Sequence, residues 1–336
     1  MIRVLIAEGS PFQANFLSRV LKDSGVAESV GVARTGEEAI ALAHRRKPDV
    51  IVMDASLPVL RAALATRQIM EHAPSRIVIT AEPSSRDEDL AFLALDEGAV
   101  DLVARASSPG QEGPARLTRL LVKRIELAAR ACLTAGSLRR PVPYAAKKSK
   151  RLPPPLILIG GAVGGIRATT EILRRLPKSF SGSICLVQHL PSCFVTGYAR
   201  WLAAETGFRV EICQQRKELA PGTLYLSPAD AHLVLDGPGS VAPQRGRTVG
   251  GHRPSITALF RSAAAVRPTS SCALVLSGEG RDGVEGVKLL AKKGGSVLVQ
   301  KPDTCLVSEM PRHALRAHAA SLELTPAEMA WTLASG

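Results

Sequence analysis

Leu156-Ile157-Leu158-Ile159-Gly160-Gly161-Ala162-Val163-Gly164-Gly165 is the stretch on which the fold turns. Four consecutive apolar residues run into six residues of which four are glycine. A short, unbroken apolar run ending in glycine reads as a strand buried on both faces, and the spacing from Ile166 to Leu176 predicts a helix. Such a strand, glycine turn and helix serve two uses. Dinucleotide binding prefers G-x-G-x-x-G with an acid at the end of the next strand. Here the glycines fall as G-G-x-x-G-G, and the next apolar run ends in Gln188-His189. A nucleophile turn fits better: small residues let a side chain project from a tight bend, and free N–H groups at the helix start can steady an oxyanion. His189 would supply a base, and Asp282, in Gly278-Glu279-Gly280-Arg281-Asp282-Gly283, its orienting acid. Taken singly, each piece has a plainer reading: a histidine after a strand is commonly structural, and Asp-Gly is commonly a turn.

Outward from this stretch, strands are expected at Ser183–Val187, Thr223–Leu226, Ala273–Ser277 and Ser296–Gln300, with helices at Val195–Thr206, Ile256–Ala265 and Val284–Lys293. The first third alternates in the same way. Its apolar runs are Val4–Ala7, Ser29–Ala33, Val50–Met53, Arg76–Thr80 and Val100–Ala104, separated by patterns such as Phe12-Phe16-Val20-Leu21 and Glu37-Ala39-Ile40-Ala43. Strands alternating with helices predict right-handed crossovers and parallel sheets covered on both faces. The expected fold class is therefore α/β, with two doubly wound parallel-sheet domains at 1–124 and 156–336. A basic, proline-rich linker at 125–155 joins them, and a helix at Ile125–Arg130 closes the first. Ligands collect beyond the carboxyl ends of such strands. Those ends are Glu8, Asp54 and Thr80 in the first domain, with Arg105 after its fifth run. Two carboxylates beside a hydroxyl and a cation could hold Mg²⁺ through Glu8 and Asp54, and receive a phosphoryl group on Asp54.

Composition narrows the classes. The chain has 336 residues, 46% hydrophobic and 22% charged, as in soluble globular proteins. Met1–Ala7 is too short an apolar run for a signal sequence or membrane span, which places the protein in the cytoplasm. Six scattered cysteines without a C-x-x-C pair point to neither a disulfide framework nor a zinc site. The net charge of +13 raises a nucleic-acid partner, but aromatics are scarce at 4%. The densest basic block, Arg139-Arg140 to Lys150-Arg151, is interleaved with prolines and reads as a solvated linker instead.

In combination the motifs become specific. The first third resembles a two-component receiver, with Asp54 in Met53-Asp54-Ala55-Ser56-Leu57-Pro58 at the phosphoacceptor position. The order Val187-Gln188-His189-Leu190-Pro191, Leu226-Ser227-Pro228-Ala229-Asp230, His252-Arg253-Pro254-Ser255, Ser277–Gly283 and Glu309-Met310-Pro311-Arg312 resembles the catalytic domain of the chemotaxis receptor methylesterase family, the CheB type. Receiver, linker and this domain are that family's architecture. The resemblance implies hydrolysis of glutamyl methyl esters on methyl-accepting chemoreceptors, some glutamine deamidation, control by a chemotaxis-type histidine kinase, and no cofactor in the C-terminal domain. It also implies a serine, histidine and aspartate triad. His189 and Asp282 match it; Ala162 stands where the serine belongs and Val163 where a threonine does. The chain departs from the family elsewhere too. Glu279 replaces a methionine before the aspartate, and Cys193, an alternative nucleophile beside His189 or merely an apolar filler, replaces a glycine. In the receiver, Glu8-Gly9 stands for two adjacent acids and Arg105-Ala106 for lysine and proline. Two readings follow: a methylesterase of impaired activity, or a non-catalytic protein that binds receptors or the kinase.

Overall fold

Unbroken apolar runs become parallel strands in both halves of the chain. The computed structural model describes residues 1–105, 114–133, 156–177 and 179–335, and the chain divides into units Met1–Leu133 and Thr134–Gly336. The expected linker residues 134–155 lie outside the described residues.

Unit 1 follows the order β1 (Ile2–Ala7), α1 (Pro11–Ser24), β2 (Ala27–Ala33), α2 (Gly36–Arg46), β3 (Val50–Asp54), α3 (Ala62–His72), β4 (Arg76–Ala81), α4 (Ser85–Asp96), β5 (Asp101–Ala104) and α5 (Pro114–Arg130). The helix expected at Ile125–Arg130 is the last part of α5. The strands are parallel, in the order β2-β1-β3-β4-β5. That order changes direction between β1 and β3, where a crevice opens beyond the strand ends. Glu8 follows β1 and Asp54 ends β3, so topology alone brings the two acids to one place.

Local chemistry sets the helix starts. The Ser10 hydroxyl accepts from the Gln13 N–H and Pro11 begins α1; the Thr35 hydroxyl accepts from Glu38 N–H at the start of α2. The apolar stripe expected on α1 is only half right. Leu17, Val20 and Leu21 enter the core with Ala14, whereas Phe12 is 78% exposed and Phe16 is also exposed. The buried face of α1 is centred on Leu17 and Leu21, one turn apart, and the two phenylalanines fall outside it.

In the loop after β3, Val59 has φ 65 and is 79% exposed. A β-branched side chain in the left-handed region clashes with its own backbone, at about 1–2 kcal/mol. An exposed side chain has little packing to offset this. Val59→Asn is therefore expected to stabilise unit 1 by about 1 kcal/mol. The denaturant midpoint at unchanged slope checks it; a midpoint that stays or falls would count against the strain.

Unit 2 contains β6 (Leu156–Gly161), α6 (Gly165–Arg175), β7 (Ile184–Gln188), α7 (Val195–Thr206), β8 (Arg209–Ile212), β9 (Lys217–Glu218), β10 (Thr223–Leu226), β11 (His232–Gly237), β12 (Ser240–Gln244), α8 (Ile256–Val266), β13 (Ser271–Val275), α9 (Val284–Lys292), β14 (Ser296–Gln300), α10 (Glu309–Arg316), β15 (Leu322–Leu324) and α11 (Pro326–Ser335). Its main sheet is parallel, ordered β15-β14-β13-β6-β7-β10-β8. The quoted stretch is thus the central strand and its exit turn. A side chain on Gly160 would meet Ile256 of α8 at 2.2 Å, and Gly164, at φ 80, begins α6 in a conformation that side chains disfavour. The edge strands β8 and β15 are short and carry charges among few apolar residues, which leaves them without a sequence signal; the small antiparallel sheet β11-β12-β9 was also not expected. Among the described residues no helix is long and apolar enough to cross a membrane.

Candidate active site

Three adjacent strands, β13, β6 and β7, end at one crest of unit 2. Ala162 follows β6, His189 follows β7, and Asp282 lies in the loop after β13. The backbone knits these ends together: His189 N–H donates to Gly161 O at 2.9 Å, and Ala162 N–H donates to Ser277 O at 3.0 Å. Gln188 Nε2 donates to Ala162 O at 2.8 Å. Ser277, unnoticed in the sequence as a site residue, ties the turn to a later segment. Its hydroxyl lies 2.7 Å from Val163 O and accepts from Val307 N–H at 3.1 Å. Ala162 is not an exposed tip; it is only 3% exposed and belongs to the apolar core of the unit. A side chain on Gly278 would come within 2.7 Å of the Ala162 Cβ.

The structure brings His189 and Asp282 together. His189 Nε2 stands 3.1 Å from Asp282 Oδ2, within ion-pair distance. Asp282 has other commitments. Its Oδ1 accepts from Ser255 Oγ, Thr257 N–H and Gly283 N–H, each at 2.9 Å, and its Oδ2 accepts from Ile256 N–H at 2.8 Å. Ile256 and Thr257 are the first residues of α8, so the carboxylate also caps that helix against its positive end. Burial pushes this carboxyl up, but His189 and the Thr257 N–H outweigh burial and hold it well below the ordinary range.

His252, whose place in the sequence carries no site signal, stacks on His189 with ring centroids 4.6 Å apart and planes 6° from parallel. The ligand atoms of His189, His252 and Asp282 lie within 4.8 Å of one another. Parallel rings direct their in-plane lone pairs side by side, not toward a common point, so this arrangement is not a tetrahedral ligand set. Cys193 is exposed in the short 3₁₀ turn Ser192–Phe194 and is no core filler. Nearby a polar cleft of about 420 Å³ is lined by Ser192, Thr196, Gln214, Asp230 and Arg245 among others.

In unit 1 the acids and the arginine expected in the pocket do meet. Arg105 Nη1 is 3.1 Å from Glu8 Oε2, and its Nη2 is 3.4 Å from Asp54 Oδ1. The same Nη2 lies 3.6 Å from Glu82 and 4.0 Å from Asp87, two acids the sequence reading missed because they sit on and before α4. Asp54 also accepts from Ser56 N–H at 3.2 Å, and Glu8 Oε1 from Ser10 N–H at 2.9 Å. Thr80 pairs beside Asp54 in the sheet, but its hydroxyl is turned to Met53 O at 3.4 Å. Burial pushes both Glu8 and Asp54 up, against the lowering effects of Arg105 and the backbone N–H groups.

A receiver-like sheet with an acid pocket, and a parallel sheet with a His–Asp pair at its crest, define a response regulator coupled to a hydrolase-type output domain. Residues 157–333 match the CheB methylesterase family, and residues 4–111 match the response regulator receiver domain. This chain belongs to the CheB methylesterase family. It is 36% identical, over 99% of its length and 98% of the relative, to "Protein-glutamate methylesterase/protein-glutamine glutaminase 3" of Anaeromyxobacter dehalogenans. A Myxococcus xanthus protein of the same name, numbered 4, is 32% identical over 92% of this chain and 90% of its own. Among solved structures, the Thermotoga maritima CheB methylesterase catalytic domain superposes with TM-score 0.52 at 28% identity, covering 55% of this chain and 98% of that one.

Proposed function

We propose that this chain acts on methyl-accepting chemoreceptors, downstream of a chemotaxis-type histidine kinase, with its glutamyl methylesterase and glutaminase chemistry impaired by Ala162. The observation that carries this reading is the side chain at the end of β6. A methyl group has no lone pair with which to attack a carbonyl, and neighbouring hydroxyls are committed elsewhere. Ser255 Oγ donates to Asp282, Thr257 Oγ1 accepts from Gly283 N–H, and Ser277 Oγ is held between Val163 and Val307. His189 and Asp282 would be the base and its orienter. Without the nucleophile they have nothing to activate but water. Asp54 is the proposed phosphoacceptor of the receiver, its carboxylate oxygen attacking phosphorus as the donor's leaving group departs.

The non-catalytic reading draws support from Asp282. Its bonds to the start of α8 are reason enough to keep it when no reaction occurs. Methyl release from methylated receptor is the test. The expected turnover is about a million-fold below that of a serine-bearing relative. It should change little in Cys193→Ala. Turnover matching the serine enzymes, and abolished by His189→Ala, would overturn the assignment of impaired catalysis.

A further inference from the structure

The acid pocket of unit 1 carries a cation in its own side chains. Arg105 is mostly withdrawn from solvent, its side chain 18% exposed, and its guanidinium lies within 4.0 Å of four carboxylates. Those nearest to it are the two the receiver fold would offer to Mg²⁺. Their oxygens do not fit that ion as arranged. Mg²⁺ requires near-octahedral oxygen ligands at about 2.0–2.1 Å. Glu8 has one oxygen on Ser10 N–H and the other on Arg105; Asp54 Oδ1 is shared by Ser56 N–H and Arg105. Of these four oxygens only Asp54 Oδ2 is lightly held, 3.4 Å from the Ser56 hydroxyl. A divalent ion placed there would face a fixed positive charge across the same carboxylate.

We propose that Arg105 is the resident cation of this pocket, taking the carboxylate oxygens that a divalent ion would need, so that unit 1 keeps its pocket closed and ordered without metal. The planar guanidinium suits this role. It bridges two acids through separate nitrogens and has no accessible neutral form. A lysine at this position would contact fewer oxygens and leave room for an ion beside Asp54.

Mn²⁺, a spectroscopically visible substitute for Mg²⁺, tests the proposal in the full-length protein. Electron paramagnetic resonance counts the bound ion, and thermal unfolding with and without Mg²⁺ gives a second readout. The wild type is expected to bind no Mn²⁺ at a site sensitive to Asp54→Asn, and to unfold at the same temperature with and without Mg²⁺. Arg105→Lys and Arg105→Gln are expected to gain an Asp54-dependent site, at least about tenfold tighter than any wild-type binding. Saturable wild-type binding lost in Asp54→Asn would overturn the proposal. So would folded Arg105 variants that still bind nothing, since the missing second acid after β1 would then account for the loss. Metal binding is read independently of methyl release, so this proposal and the esterase reading fail separately.

Discussion

Asp282→Ala is expected to destabilise unit 2 by about 3–5 kcal/mol, whether or not the protein catalyses anything. The substitution strips a buried acceptor from three backbone N–H groups and the Ser255 hydroxyl, and leaves His189 without its carboxylate. For a domain of this size that corresponds to a fall in midpoint temperature of roughly 10 °C. Asp282→Asn, which keeps one acceptor oxygen, should lose about half as much. The pH dependence carries the same signature. The folded carboxyl lies below its unfolded value of 3.8, so its stabilisation is complete above that value and is lost as pH falls below it toward the folded pKa. The acid-induced loss in unit 2 should therefore be shallower in Asp282→Asn. Calorimetry of both variants across this range is the check. A drop under about 1 kcal/mol for Asp282→Ala would show that the α8 start does not depend on the carboxylate.

Ala162→Ser is expected to raise methyl release at least about a hundredfold over the wild type, still short of a serine-bearing relative. His189 and Asp282 are in contact already, so on the proposed reading one hydroxyl is the largest missing part. Two features limit the gain. Ala162 is nearly buried, so the new hydroxyl must find room in a packed crest. Glu279 also stands where the resemblance has a methionine, and a carboxylate there would oppose a developing oxyanion. Ala162→Ser with Glu279→Met should accordingly exceed the single variant, and His189→Ala in that background should abolish the gain. If neither serine variant releases methyl groups above wild type, the crest has been remodelled beyond position 162.

Much of this is legible in the sequence. The run Leu156–Ile159 and the apolar runs of the first third are local signals, and each overlaps a strand; β6 also takes in Gly160 and Gly161, the first two glycines of the expected turn. The positions of Glu8, Asp54, His189 and Asp282 were legible for the same reason: in a parallel sheet, functional side chains follow strand ends, and strand ends show in the sequence. Phe12 and Phe16 misled because helical periodicity shows that a face exists, not which face the sheet will cover. Edge strands such as Leu322–Leu324 carry too few residues to show a period.

What the residues alone determined is therefore the order of elements, the family and the alanine at position 162, because strand patterns, motifs and the identity of one side chain are properties of single segments. The double duty of Asp282, the stacking of His252 on His189, the burial of Ala162 and the hold of Arg105 on four acids came only with the tertiary structure. Each joins residues dozens of positions apart. Such contacts arise from which strands become neighbours in the sheet, and no local pattern encodes the distance between two strand ends.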